Sequence, residues 1–373
     1  SVPMALSLAL VAAVLAILLG WAVAAVSAHA RHKSAVTVAA SLVFLLGYFW
    51  SFQKIGTAMN TLTTAPDGQS SVSFYLMRPL GRAAEGEPLA LAGWLAAVLL
   101  TGAVFYRGFS RRYLAALTDR HGTPKAAYRP AEHKQASLRR ALLRRELQHL
   151  GASPSYMLNA SLGTLTLPLL GLAALWKADG LHSMARNLSA GMIAMVVCGL
   201  VCTGASVNLL TAPSISLEGK NLWLMHSLPI TAWQVLRAKL ELHLLLTALP
   251  AVFCAGCILS AMGGAMLEQV LSLAVITLFV LLMAEFGLMM GLLMPDLHWT
   301  SEGAVIKRGL PSAAALLGGW CLAMVQSIAI YLLSSRLGAP TALLLCIVVL
   351  GAADLVLCRW LRTGGAARFE EII

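Results

Sequence analysis

Residues 270–294 read VLSLAVITLFVLLMAEFGLMMGLLM, with one ionisable side chain, Glu285, in the whole run. A helix needs about 20 apolar residues to cross the hydrocarbon core of a bilayer, and this stretch is long enough. It lacks the ten-residue alternation of an outer-membrane barrel strand. Inside lipid each backbone polar group must be satisfied within its own segment, so the stretch reads as a transmembrane helix. Working outward, eight further stretches qualify or nearly so: 3–28, 35–52, 88–106, 157–176, 188–212, 241–261, 312–334 and 339–358. The expected fold is therefore all-α: a polytopic transmembrane helix bundle of about nine spans. Composition agrees, since 59% of the 373 residues are hydrophobic and 12% are charged, about half the usual charged share.

Lys and Arg in the loops set the expected orientation, because cytoplasmic loops carry the excess. With the first residue outside, the inside loops are 29–34, 107–156, 213–240, 295–311 and 359–373. They hold 21 Lys and Arg, against 6 outside. The expectation is thus N-out and C-in, in a bacterial cytoplasmic membrane. Residues 3–28 lack a charged leading region and a small-residue cleavage site, so they do not read as a signal peptide. The chain opens on Ser1 and enters an apolar span at once, which reads as part of a longer protein with an odd number of preceding spans. Four regions follow: a three-span group over 1–106, a basic segment over 107–156, a six-span core over 157–358 and a tail over 359–373.

The basic segment carries net +8 of the chain's +11. Its first half has turn signals at Asp119, His121-Gly122, Pro124 and Pro130. Residues 137–150 read as a helix ended by Gly151 and Pro154. Leu138, Ala141, Leu142 and Leu147 can share its apolar face, with Arg139, Arg140, Arg144 and Arg145 around the rest. Such a helix suits the anionic surface of a membrane. Nucleic acid is not an expected partner, because no aromatic interleaving or binding motif accompanies the charge.

Residues 216–240, SLEGKNLWLMHSLPITAWQVLRAKL, are more ordered than a connector requires. Ser216 can cap a helix start, where Glu218 suits the positive end. Leu217, Leu224 and Leu228 can line one stripe beside Trp223. Pro229 stops that helix, and Thr231 can cap the next. The loop over 295–311, PDLHWTSEGAVIKRGLP, is also patterned. Its Trp299 reads as a membrane-interface residue. His298 and Glu302 are too few ligands for a metal, and no HExxH helix is present.

Glu285 lies deep in its span, where a charge costs several kcal/mol unless it faces protein or water. Two readings stay open, a transport route and structural hydrogen bonding. Asn208, His243, Gln326 and Asp354 are further polar groups in or near spans, while Glu241 and Glu268 read as solvent-exposed. Gly263-Gly264 reads as a turn and Gly318-Gly319 as close packing. Cys254 and Cys257 have redox spacing but lie within a span, where packing is the expected role. No GxxxxGK[ST] occurs, so the chain has no P-loop for ATP. No catalytic arrangement stands out either, so an enzyme is not expected.

Several of these motifs, in this order, resemble the permease subunit of type-2 ABC exporters. An amphipathic connecting helix over 137–150 is followed by SPSYMLN at 153–159. Then comes a coupling-helix pattern carried by Glu218, Gly219, Leu228, Pro229, Ile230, Thr231 and Lys239. The strings SLEGKNLWLMHSLPI and DLHWTSEGAVIKRG look like a little-characterised branch of these exporters. The resemblance covers about 130–373 well, and the first three spans by general layout. It implies a transport subunit driven by a separate ABC ATPase, which binds the ATP and Mg. The docking residues it implies are Glu218, Gly219, Lys220, Trp223, Leu224, Leu228 and Pro229. Membrane lipids and a second permease copy are the other implied partners, and the chain itself is expected to hold no cofactor. Rival readings are a proton-coupled secondary transporter using Glu285, or a membrane-embedded enzyme using Glu285 and His243.

Overall fold

The computed structural model describes residues 2–28, part of 39–54, 81–118 apart from 84, 137–160 and 162–372. Most of the expected second span and the turn-rich half of the basic segment lie outside the described residues. The chain divides into two compact units, residues 1–134 and 135–373. The boundary falls inside the basic segment, so its amphipathic helix belongs with the spans that follow it.

In the first unit, α1 (Val2–Ala28) packs on α2 (Pro88–Thr118). Trp94 Nε1 donates a hydrogen bond to Ser7 Oγ at 2.7 Å. That bond gives the indole N–H a partner within an apolar helix pair.

The second unit is a helical bundle. Its elements are α3 (Leu138–Ala152), α4 (Pro154–Ala160), α5 (Leu162–Trp176), α6 (Ala178–Ala185), α7 (Ala190–Ser206), α8 (Ser214–Glu218), α9 (Leu222–Ser227), α10 (Ala232–Met262), α11 (Met266–Leu293), α12 (Glu302–Arg308), α13 (Leu310–Leu337), α14 (Ala339–Trp360) and α15 (Ala366–Glu371). A π-helical turn, Leu361–Gly365, joins the last two.

Helices occupy eight of the nine expected apolar stretches along their described lengths. Among the described residues five segments are long and apolar enough to cross a membrane: Pro88–Gly108, Ala232–Met262, Met266–Leu293, Glu302–Leu337 and Ala339–Glu371. The expected span over 157–176 is instead two helices, α4 and α5, bent by 50°; counted as one, they make a sixth. Helix α7 is apolar but has 17 residues, short of a full crossing. These lengths and compositions are those of a membrane protein.

The core is built where α5, α7, α10, α11, α13 and α14 meet. Val197, Cys198, Val201, Ala251, Cys254, Ile276, Phe279, Ala323, Ile330 and Leu343 are all buried there. Cys254 therefore serves packing, and it is a free thiol. Asn208 ties three helices, since its side chain accepts from the Thr164 N–H at 3.1 Å and donates to Thr247 Oγ1 at 3.0 Å. A Cβ on Gly319 would lie 2.6 Å from Met283 Cε and 2.9 Å from Ser206, so α13 approaches its neighbours as closely as it does through glycine. Gly263 and Gly264 both have positive φ and make the turn between α10 and α11.

Helix α10 starts at a full capping box. The Gln234 N–H donates to Thr231 Oγ1, and the Thr231 N–H donates back to Gln234 Oε1 at 3.0 Å. The helix thus begins some nine residues before the expected span, and it carries Arg237, Lys239 and Glu241 on its first turns.

Candidate functional site

At one end of the second unit, four chain segments converge: α3, residues 213–230, residues 294–308 and α15. They form a platform over the ends of α10, α11 and α14, and its parts are joined by charge, aromatic and backbone contacts.

Its centre is a buried charge quartet. Lys239 Nζ donates to Glu218 Oε1 at 2.8 Å and to Glu146 Oε2 at 3.1 Å. Arg145 grips Glu218 with both terminal nitrogens, at 3.1 and 2.6 Å, and reaches Glu146 Oε1 at 3.1 Å. The Lys239 side chain is 1% exposed, and those of Glu146 and Glu218 are 4% and 3% exposed. Two acids and two bases balance, which is what lets such charges leave water. Burial acts to raise the Glu218 carboxyl, but the Lys239 ammonium and the Arg145 hydrogen bonds outweigh it and hold it at about 2. Through these four side chains the amphipathic helix, the loop after α7 and the first turns of α10 become one piece.

This alters three expectations. Glu218 is not near a helix start. It closes the short α8, and Gly219 at φ 51 breaks the chain before a 3-10 turn and α9. Its carboxylate faces inward. The buried face of α3 is Leu142, Glu146 and Leu150, one turn apart, while Leu138, Ala141 and Leu147 are exposed. Of the expected apolar stripe only Leu142 belongs to this face, because Glu146 sits in its middle. The basic charge is also not left wholly to lipid, since Arg145 joins the quartet and Arg139 pairs with Glu241 at 2.8 Å. Glu241 accepts from Arg237 as well, at 2.8 Å, so it is bridged and largely covered.

Trp299 is a second departure. Its Nε1 donates to the Ser216 carbonyl at 2.6 Å. The indole lies against Gly219, where a Cβ would meet Nε1 at 3.2 Å. The Asp296 N–H donates to Ser216 Oγ at 3.0 Å. Ser216 therefore anchors the neighbouring loop, and Trp299 packs on protein. Glu302 accepts from Ser153 Oγ, which links α12 to the start of α4. Among the described residues no group of three or more His, Cys, Asp or Glu is placed to hold a metal.

The outward face of α9 and the residue after it carry exposed apolar side chains. Helix α9 buries Leu222 and Met225 beneath it. On top, Trp223 is 64% exposed, and Leu224 and Leu228 are close to half exposed. His226 stacks on Phe369 of α15 at 5.2 Å, so the tail packs beside α9. Pro229 is exposed and follows the end of α9. The side chain of Lys220 lies outside the described residues. Of the residues implied as docking contacts, Trp223, Leu224, Leu228 and Pro229 face outward, whereas Glu218 and Gly219 hold the loop from below.

Glu285 lies elsewhere, within the bundle. It is buried on α11, and the groups acting on it are Asp354, Cys358 and Arg362 from α14 and the turn after it. His243 is buried on α10, with neither ring nitrogen hydrogen-bonded. It is not among the groups acting on Glu285. No protein family, curated protein or solved structure matches this chain.

Proposed function

We propose that the chain is the membrane-embedded permease subunit of an ATP-binding cassette transporter, working as an exporter. A separate ATPase subunit docks on the platform, which faces the cytoplasm. The observation that carries this reading is the contrast within residues 216–230. Trp223, Leu224 and Leu228 stand exposed on a short helix, yet the loop beneath them is fixed by a buried quartet and by Trp299. Exposed apolar side chains on a rigid mount suit a protein partner, since buried aromatics dominate interface energetics. The mount also supports a transmission role. Force applied at α9 would reach α10 through Lys239 and α3 through Glu146, because these groups cannot separate without leaving buried charges unpaired.

In this reading ATP and Mg stay on the partner, and two permease copies match the pair of ATPase subunits. The test is co-purification of a tagged chain, from the cells that make it, with an ABC ATPase subunit identified by mass spectrometry. Trp223→Asp lowers recovery of the ATPase at least tenfold while the chain still inserts and elutes as wild type does. Equal recovery from both proteins would count against docking at α9.

A further inference from the structure

The second buried acidic group, Glu285 with Asp354, is treated differently from the quartet. Glu285 is 2% exposed and Asp354 4% exposed. Glu285 sits eight residues before the end of α11, about 12 Å of helix from it at 1.5 Å per residue. Helices α11 and α14 pack against each other, and Asp354 acts electrostatically on Glu285. Cys358, one turn beyond Asp354, also acts on the Glu285 carboxyl. Yet Glu285 Oε2 and both Asp354 oxygens have no hydrogen-bond partner.

Nearby positive charge does not fill this gap. Arg362 acts on Glu285 from a distance, but its guanidinium is exposed and lies over the Trp233 ring, 5.0 Å from the centroid. The other helices packed on α11 carry Arg237, Lys239, Glu241, His243, Cys254 and Cys257 on α10, Glu218 on α8, Cys198 and Cys202 on α7, and Cys321, Tyr331 and Arg336 on α13. None of these is among the groups acting on Glu285. The quartet shows how this chain supports buried carboxylates that are charged: Glu146 and Glu218 each receive a lysine and an arginine. Two bare carboxylates on facing apolar helices would carry the full desolvation cost as well as mutual repulsion. Protonating one carboxyl removes the repulsion and its share of the desolvation cost, and makes that group a hydrogen-bond donor.

We propose that Glu285 and Asp354 form a proton-binding site inside the bundle. It is independent of the docking reading, and its test uses no ATPase. The π-helical turn that follows α14 lies on the same side, and such turns recur at functional sites.

The test is labelling of the full chain in membrane vesicles with dicyclohexylcarbodiimide, a probe that reacts with protonated carboxyls in apolar surroundings. Near neutral pH the wild type is labelled on the peptide holding Glu285 or on that holding Asp354, as read by mass spectrometry. In Glu285→Gln/Asp354→Asn that adduct falls at least tenfold. In the wild type alone, raising the pH above the site's midpoint cuts labelling about tenfold per pH unit. This second arm holds even where the double variant does not fold. Absence of label on both peptides near neutral pH overturns the proposal. So does loss of the label on adding sodium at constant pH and ionic strength, which would assign the site to a metal cation.

Discussion

At the residue scale, Lys239 is the most consequential side chain on the platform. It is the one ammonium shared by Glu146 and Glu218, and it is fully covered. Lys239→Met leaves two buried carboxylates to share Arg145 alone, and breaking such a pair costs about 3–5 kcal/mol. Thermal unfolding of the purified chain in detergent checks this, and Glu146→Gln in the same background recovers part of the loss. Glu218 adds a pH dependence. Its folded pKa, at about 2, lies below the ordinary carboxylate value. The stability it confers is therefore fully present above that ordinary value and lost as pH falls toward 2. An acid titration of the unfolding temperature shows this loss, and Glu218→Gln flattens it.

At the element scale, the break at Gly219 decides how α9 is presented. Its φ of 51 with ψ of −130 is a backbone state that side chains disfavour, and Trp299 closes the space a Cβ would enter. Gly219→Ala costs about 1–2 kcal/mol from the backbone alone. It also quenches less well: Trp299 fluorescence shifts as the indole leaves Ser216, while far-UV circular dichroism stays unchanged. An unchanged emission spectrum together with an unchanged melting temperature would remove the role assigned to this glycine. The second element of note is α3. The sequence favours a face of Leu138, Ala141, Leu142 and Leu147; the structure buries Leu142 of these, together with Glu146 and Leu150. Hydrophobicity alone mis-set the face because a charged residue with two buried partners behaves as a core residue.

At the scale of the whole molecule, residues 135–373 form a unit with their own core and their own platform. Expressed alone, this segment inserts, purifies as a monodisperse species, and melts within a few degrees of the full chain. Size-exclusion chromatography and a detergent melt read this out, and aggregation of the segment would show that the first unit is required. Helices α5, α7, α10, α11, α13 and α14 line the common core, and the loops of one end close over it with α3 and α15. In the tail expected over 359–373, Leu361 and Phe369 are both buried beside Ile215 and Leu222.

The sequence by itself determined the helical class and the positions of the apolar helices, because lipid permits few alternatives to a long apolar helix. It also determined the caps and stops that depend on neighbours in the chain, such as Thr231 with Gln234 and the end of α9 before Pro229. Only the tertiary structure decided which acids meet which bases. Arg145 and Glu218 are 73 residues apart, and Glu146 and Lys239 are 93 apart, so no local pattern joins them. It likewise decided that Glu146 and Glu218 find cations while Glu285 and Asp354 find none. That difference arises from packing, since a buried charge is tolerated only where the folded chain brings its opposite to within hydrogen-bonding distance.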